Sequence, residues 1–212
     1  RSAWDPDFWR GRRVWCGLDL SQTDDNTAFS MVTEEDGIIY AKVFGFLPEG
    51  KILEKSKKEK VNYRELLRRR ECFACGDEVI DYGFVEKFII SLPKQYGVEI
   101  MQIGYDRYNA ISTVQKLEEE GIECVEIKQH SSVLHPATKL LKELVLSKKL
   151  RYEENRMLEI NFQNARCTED TNLNQYVNKK RSAGKVDMVV ATINAMYLLQ
   201  QELLNNTFVV QY

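Results

Sequence analysis

Three aspartates far apart in the chain, Asp19, Asp106 and Asp187, are the residues best placed to do chemistry. Asp19 lies in an apolar, strand-like stretch (Val14-Trp15-Cys16-Gly17-Leu18-Asp19-Leu20), and Asp106 follows a second one (Glu99-Ile100-Met101-Gln102-Ile103-Gly104-Tyr105). Asp187 opens an apolar helical run that continues through Met188, Val189, Val190 and Ala191 to Met196. A carboxylate within an apolar strand is costly to bury unless it is paired or binds a cation. Acids at two strand ends and one helix start can converge, in a suitable fold, on a divalent cation. An all-oxygen site of that kind suits Mg²⁺ or Mn²⁺ and phosphodiester hydrolysis.

Each acid also has a plainer reading. Asp19 could face solvent near a strand end, Asp106 could be an N-cap of the following helix, and acids favour the first turn of a helix for the dipole alone. Ala191, Asn194 and Ala195 lie near the face of Asp187, and their small size would let that helix approach a sheet closely. Gly17 allows close backbone approach near that end of its strand. Asp24 and Asp25 occupy a turn-like segment, where Asp is favoured locally; with Asn164 they are candidates for a further metal ligand. Lys185, two residues before Asp187, could neutralise charge near a phosphate.

The elements that must position these acids follow from periodicity. Residues 1–12 read as a linker or arm, polar apart from Trp4, Phe8 and Trp9. Three β-rich stretches, 14–20, 27–33 and 38–46, follow, and Glu34-Glu35-Asp36-Gly37 between the last two is a hairpin signal. Residues 47–61 are charged and read as irregular or weakly helical. The pattern then predicts helices over 63–70 and 81–95, a strand over 98–104, a helix over 111–120 and a strand over 122–127. Further on it predicts a helix over 136–147, a short strand at 150–152, a helix over 157–165, an extended segment over 173–180 and a closing helix over 187–204. An antiparallel meander followed by alternating helices and strands implies an α/β fold, a mixed central sheet flanked by helices on both faces.

Composition bounds the function. A 212-residue chain that is 43% hydrophobic suits one compact domain, here 13–212. No apolar run is long enough to cross a bilayer, no signal-peptide pattern is present, and the chain starts at Arg1, so a fragment or processed chain is expected. Five cysteines favour free thiols in a reducing compartment. Net charge is −2, yet cations cluster at Arg10–Arg13, at Lys55–Lys60 leading into Arg64, Arg68, Arg69 and Arg70, and at Lys179, Lys180, Arg181 and Lys185. Such runs are either solvated helix faces or phosphate contacts. Cys72-Phe73-Ala74-Cys75 with His130 and His135 lacks the usual zinc-finger separation. There is no nucleotide-phosphate loop and no Gly-x-Ser-x-Gly elbow.

Over nearly all of residues 13–204, these blocks resemble the nuclease domain of the large terminase subunit of tailed phages and prophages. Gly17-Leu18-Asp19-Leu20-Ser21 with Asp24-Asp25-Asn26-Thr27-Ala28 resembles the family's first acidic strand and turn. Asp77-Glu78-Val79-Ile80-Asp81, Gly104-Tyr105-Asp106 and Leu117-Glu118-Glu119-Glu120-Gly121 resemble its central block. Asn155, Asn164, Lys179 and Lys185-Val186-Asp187-x-x-x-Ala191-x-x-Asn194-Ala195 resemble the last and most specific block. The resemblance implies an RNase H-like fold in which Asp19, Asp106 and Asp187 bind two divalent ions and cut double-stranded DNA during genome packaging. Arg64, Arg68, Arg69, Lys179, Lys180 and Arg181 would hold the DNA backbone. It also implies an N-terminal ATPase domain of the same full-length protein, to which residues 1–12 would lead. Contacts with the small terminase subunit and portal, work in the host cell cytoplasm, and no secretion or membrane partner complete that expectation. The alternatives are a resolvase or RNase H-type nuclease of the same fold, acting on junctions or hybrids, and a non-catalytic DNA- or protein-interaction domain.

Overall fold

The computed structural model describes residues 5–20 and 26–209. The chain begins with an antiparallel meander of β1 (Arg13–Asp19), β2 (Thr27–Glu35) and β3 (Ile38–Leu47). Asp36 and Gly37 turn the hairpin with φ of 53° and 76°, the paired positive values of the tight turn that matches strand twist. Two short helices, α1 (Ile52–Glu59) and α2 (Tyr63–Arg68), lead to β4 (Cys72–Ala74) and α3 (Tyr82–Tyr96). Alternation then takes over with β5 (Glu99–Tyr105), α4 (Ile111–Glu119), β6 (Cys124–Glu126), α5 (Ser131–Leu146), β7 (Leu150–Tyr152) and α6 (Arg156–Asn164). A small hairpin, β8 (Cys167–Glu169) with β9 (Gln175–Val177), precedes the long α7 (Asp187–Val209).

The central sheet has the order β4-β3-β2-β1-β5-β6, with β7 pairing the other end of β3. β1 is antiparallel to β2 and parallel to β5, and β5 is parallel to β6, so the expected mixed sheet is the observed one. Period-2 alternation divides the core between the two faces. Val14, Cys16, Leu18, Phe29 and Met31 pack against Val85, Ile89 and Leu92 of α3 and Leu117 of α4, where buried Trp9 joins them. Trp15, Ala28 and Val32 pack on the opposite face, with α5, α6 and α7.

On that second face the closest approach is made by glycine. Gly17 and Gly104 are register partners in β1 and β5. A Cβ on Gly17 would stand 1.9 Å from the Ala191 carbonyl oxygen and 2.5 Å from the Ala195 nitrogen, and one on Gly104 would stand 3.1 Å from the Asn194 carbonyl oxygen. The α7 backbone therefore rests directly on a bare strip of sheet, with Ala191 and Ala195 supplying the matching small surface.

Several boundaries differ from the sequence pattern for identifiable reasons. α5 starts at Ser131, so Pro136 sits inside the helix rather than opening it; the cap is His130, whose Nδ1 accepts from the Ser132 N–H at 3.3 Å. Residues 52–59 form a regular helix despite their charge, because buried Lys55 and Glu59 pair at 3.0 Å one turn apart. β4 and β8 are three-residue strands that periodicity could not register, and the extended stretch near 173–180 is ordered only as β9.

Substituting Gly17 with Ala should lower stability by at least about 3 kcal/mol, the upper end for over-packed cores, because backbone rather than a flexible side chain must move. Urea unfolding of Gly17→Ala measures this, and a loss below about 1 kcal/mol would contradict the close helix–sheet contact.

Candidate active site

The alternation that places Trp15 and Gly17 on the α7 face places Asp19 there too, at the last position of β1. Asp187 is the first residue of α7, so its side chain is delivered to the same place by the helix that lies on the glycine strip. Both are buried, at 8% and 3% exposure. They meet on one cation: Lys179 Nζ donates to Asp19 Oδ2 at 2.9 Å and lies 3.6 Å from Asp187 Oδ1. A half-exposed ammonium thus neutralises two buried carboxylates that would otherwise repel one another.

Asp106 holds the neighbouring position. Leu18 and Tyr105 are register partners in parallel strands, so Asp19 and Asp106 leave adjacent strand ends on the same side of the sheet. Strand ends of this kind are where open α/β sheets place ligands. The Asp106 side chain is turned locally, with Oδ1 accepting the Tyr108 N–H at 3.2 Å. Among the described residues no three His, Cys, Asp or Glu side chains form a ready-made metal cluster. The structure gathers Asp19 and Asp187 and sets Asp106 beside them without drawing it in. Asp24 and Asp25 lie outside the described residues.

The donor chemistry agrees with a hard divalent cation: both gathered side chains are carboxylates, and they already surround a positive charge. Polar contacts hold the arrangement. Asn161 Oδ1 accepts the Met188 N–H at 3.1 Å, satisfying a donor in the first turn of α7. Asn164 Nδ2 donates to the Lys185 carbonyl at 3.0 Å, fixing the approach to that turn. Asn194 Nδ2 donates to the Leu18 carbonyl at 3.2 Å, and Thr192 bonds Ser30 at 3.1 Å, tying α7 to β1 and β2. Asn164 therefore uses its amide to position the backbone beside Asp187. Asn155 caps α6 through the Leu158 N–H and donates to the Val43 carbonyl.

A second buried group lies beside the pair and was not singled out from the sequence. Tyr63 Oη donates to Glu59 Oε2 and accepts from Asn26 Nδ2 at 3.1 Å, while Lys55 pairs with Glu59. Burial first, then the Glu59 charge, push the Tyr63 hydroxyl well above its usual range, and the Asp187 charge adds to this. Neither Tyr63 nor Asn161 carries a sequence signal, because an aromatic opening a short helix and an Asn inside an apolar helix are both common.

The basic side chains divide into two groups. Arg68 is paired with Glu65 at 2.8 Å, and Arg69 with Glu71 and Glu154 at 2.8 and 3.0 Å. Arg64, Lys180 and Arg181 are exposed. The Cys72/Cys75 pair cannot share a metal: the two thiols are buried in core clusters on opposite faces of the sheet. Burial pushes them up to about 12 and about 11. His130 caps α5, and His135 Nδ1 accepts the Gln175 N–H at 2.8 Å.

The family model for the terminase large subunit, endonuclease domain, matches residues 1–202. The large terminase subunit of Enterobacteria phage HK97 is 25% identical over 183 residues, which cover 85% of this chain and 36% of that protein. This chain thus spans about a third of its relative's length. The crystal structure of the HK97 bacteriophage large terminase superimposes with a TM-score of 0.82 at 23% identity, covering 90% of this chain and 40% of that one. The large terminase nuclease of thermophilic phage G20c with bound magnesium gives 0.55 at 14% identity, covering 88% and 81%. The nuclease domain of the large terminase from bacteriophage SPP1 with bound Mn gives 0.53 at 15%, covering 91% and 88%. These likenesses establish the RNase H-like fold.

Replacing Lys179 with Met should cost about 1–3 kcal/mol of stability in EDTA, between the values for exposed and fully buried ion pairs, because two buried carboxylates lose their shared cation. Adding Asp19→Asn should recover most of that loss in urea unfolding. No recovery would mean that the ammonium is not balancing the acids. In a native thiol titration at pH 8, exposed Cys167 should react first and Cys16, Cys72 and Cys75 only on unfolding.

Proposed function

Because this chain belongs to the terminase large-subunit endonuclease family, we propose that it hydrolyses the phosphodiester backbone of double-stranded DNA with divalent metal ions, Mg²⁺ or Mn²⁺, during genome packaging. One observation carries the reading: two buried carboxylates from distant parts of the chain, Asp19 and Asp187, are gathered around a single positive charge at a strand end. A structural domain gains nothing from this arrangement that an apolar pair would not provide.

Asp19 and Asp187 would hold the metal, and Asp106 would join them by releasing the Tyr108 N–H and rotating across the gap between β5 and β1. Two ions bound there would lower the pKa of an attacking water and stabilise the leaving oxygen. The chain's own part is to fix the carboxylates: the glycine strip sets the height of α7, Asn161 and Asn164 set its first turn, and Asn194 sets its slide along β1. To free Asp19 and Asp187 for a divalent ion Lys179 would have to let go of both, and its half-exposed side chain gives it room to turn toward solvent. Asp24 and Asp25 are proposed as further ligand candidates on sequence grounds. In the whole protein we assign the ATPase domain, the small subunit and the portal as partners, and the host cytoplasm as the place of work; among the described residues no helix is long and apolar enough to cross a membrane.

Supercoiled plasmid incubated with the chain should be nicked and linearised in Mn²⁺ or Mg²⁺ and left intact in EDTA. Asp19→Asn, Asp106→Asn and Asp187→Asn should each reduce the rate at least about 100-fold, as expected for losing a few kcal/mol of transition-state charge stabilisation. Undiminished cutting by the Asp19 or Asp187 variant would overturn the site. A rate for four-way junctions or RNA–DNA hybrids above that for duplex would move the substrate to the resolvase or RNase H class.

A further inference from the structure

A cleft of about 740 Å³ opens between the C-terminal end of α1, the start of α6 and the segment leading into α7, and Asp187 forms part of its wall. Five cationic side chains line it: Lys58, Lys60, Arg156, Lys179 and Lys185. Only two acids do so, and both are already engaged, Glu59 by Lys55 and Tyr63 and Asp187 by Lys179. In a chain whose net charge is −2, this is a concentrated positive surface that ends on the candidate catalytic Asp187.

Placement separates these cations from an ordinary solvated face. Lys58 and Lys60 close α1, where the helix dipole welcomes positive charge. Arg156 and Lys185 do the opposite: Arg156 is the first residue of α6, and Lys185 lies two residues before the start of α7. A cation at a helix N-terminus is disfavoured by roughly 0.3–1 kcal/mol; Arg156 offsets this by pairing with Glu159 at 3.2 Å and keeps its guanidinium half exposed at the cleft. Both helix starts face the same cleft, and their partial positive charge adds to that of the side chains. An anion would relieve all of this at once. The basic run on α2 lies outside the cleft lining, and there Arg68 pairs with Glu65 and Arg69 with Glu71 and Glu154.

We propose that this cleft is the seat of one strand's sugar–phosphate backbone in duplex DNA, with Lys58, Lys60, Arg156 and Lys185 as its phosphate contacts, and that it leads that strand to Asp19 and Asp187. The α2 arginines are not part of this track. The proposal rests on the nuclease reading for the identity of the polyanion and adds the path by which it enters. Phosphate contacts of this kind carry no base information, so the track binds any sequence.

The test is fluorescence anisotropy of a labelled duplex against salt in EDTA, where no cutting occurs. The proteins are the native chain, Lys58→Gln/Lys60→Gln/Arg156→Gln, and the comparison pair Arg64→Gln/Arg68→Gln. Each lost phosphate contact removes about 0.9 from the slope of log affinity against log salt, so the cleft variant should flatten it by about 2–3 while the α2 pair leaves it unchanged. Lys185→Gln alone should remove about 1 and guards against a folding defect in the triple variant. An unaltered slope in the cleft variants, or flattening confined to the α2 pair, overturns the proposal, as does a native chain that fails to bind duplex. Plasmid cutting separates the two readings. Metal-dependent cutting with an unaltered slope sinks the cleft alone, and cleft-dependent binding without cutting in any divalent metal sinks the nuclease alone.

Discussion

The structure depends on a backbone-to-backbone contact. α7 lies on β1 and β5 where Gly17 and Gly104 stand side by side, so closely that a methyl group at position 17 would overlap the Ala191 carbonyl. Dispersion between closely packed backbones is modest per atom and large in sum, and the approach also has a geometric effect. A helix held away by ordinary side chains would carry its first residue away from the strand end. Resting on glycine, α7 brings Asp187 down to the level of Asp19, and two acids separated by most of the chain come to share one ammonium.

The polar contacts around α7 follow from the same constraint. Beside the glycine and alanine contact, α7 buries Met188, Val189, Ile193, Met196, Leu198 and Leu199 in the core. Thr192 on Ser30, Asn194 on the Leu18 carbonyl and Asn161 on the Met188 N–H add directional contacts that fix its register. Each is a buried polar group with a defined partner, so displacement of the helix would strand donors and acceptors in the core. Specific hydrogen bonds set the position, and apolar burial on both faces of the sheet supplies the stability.

How much of this was legible in the sequence depended on the range of the signal. The meander, the Asp36-Gly37 turn and the fitness of Gly17 and of Ala191 and Ala195 for close approach could be read, because each is written in a local pattern or in small residues; that they meet each other could not. The α5 start was misplaced because Pro136 resembles an opening residue, whereas His130 with Ser131 and Ser132 caps the helix five residues earlier. Helix α1 was read as irregular or weakly helical because its charges hide the Lys55–Glu59 pair, which only tertiary contact reveals. At the site, Asp19 and Asp187 were legible as acids in apolar surroundings. That Lys179 joins them was not, since its partner Asp19 is 160 residues away and a lysine in a basic run carries no mark of what it touches.

The same lysine explains how the fold tolerates its own chemistry. Two buried carboxylates with no cation would cost more than the surrounding core could readily absorb, since desolvated like charges resist ionisation together. The tethered Lys179 ammonium offsets that cost by reaching both acids. On the proposed reading a divalent ion with oxygen ligands would satisfy them better, because twice the charge at similar distance outweighs the loss of one hydrogen bond. Turned toward solvent, the ammonium would still stand at the cleft, since Lys179 lines it together with Lys58, Lys60, Arg156 and Lys185. On the proposed reading, the charge that stabilises the acids before metal arrives becomes, once displaced, one more contact for the phosphate backbone. Folding and substrate binding would then draw on one side chain in turn, which ties the closing helix, the acidic pair and the basic cleft into a single electrostatic unit.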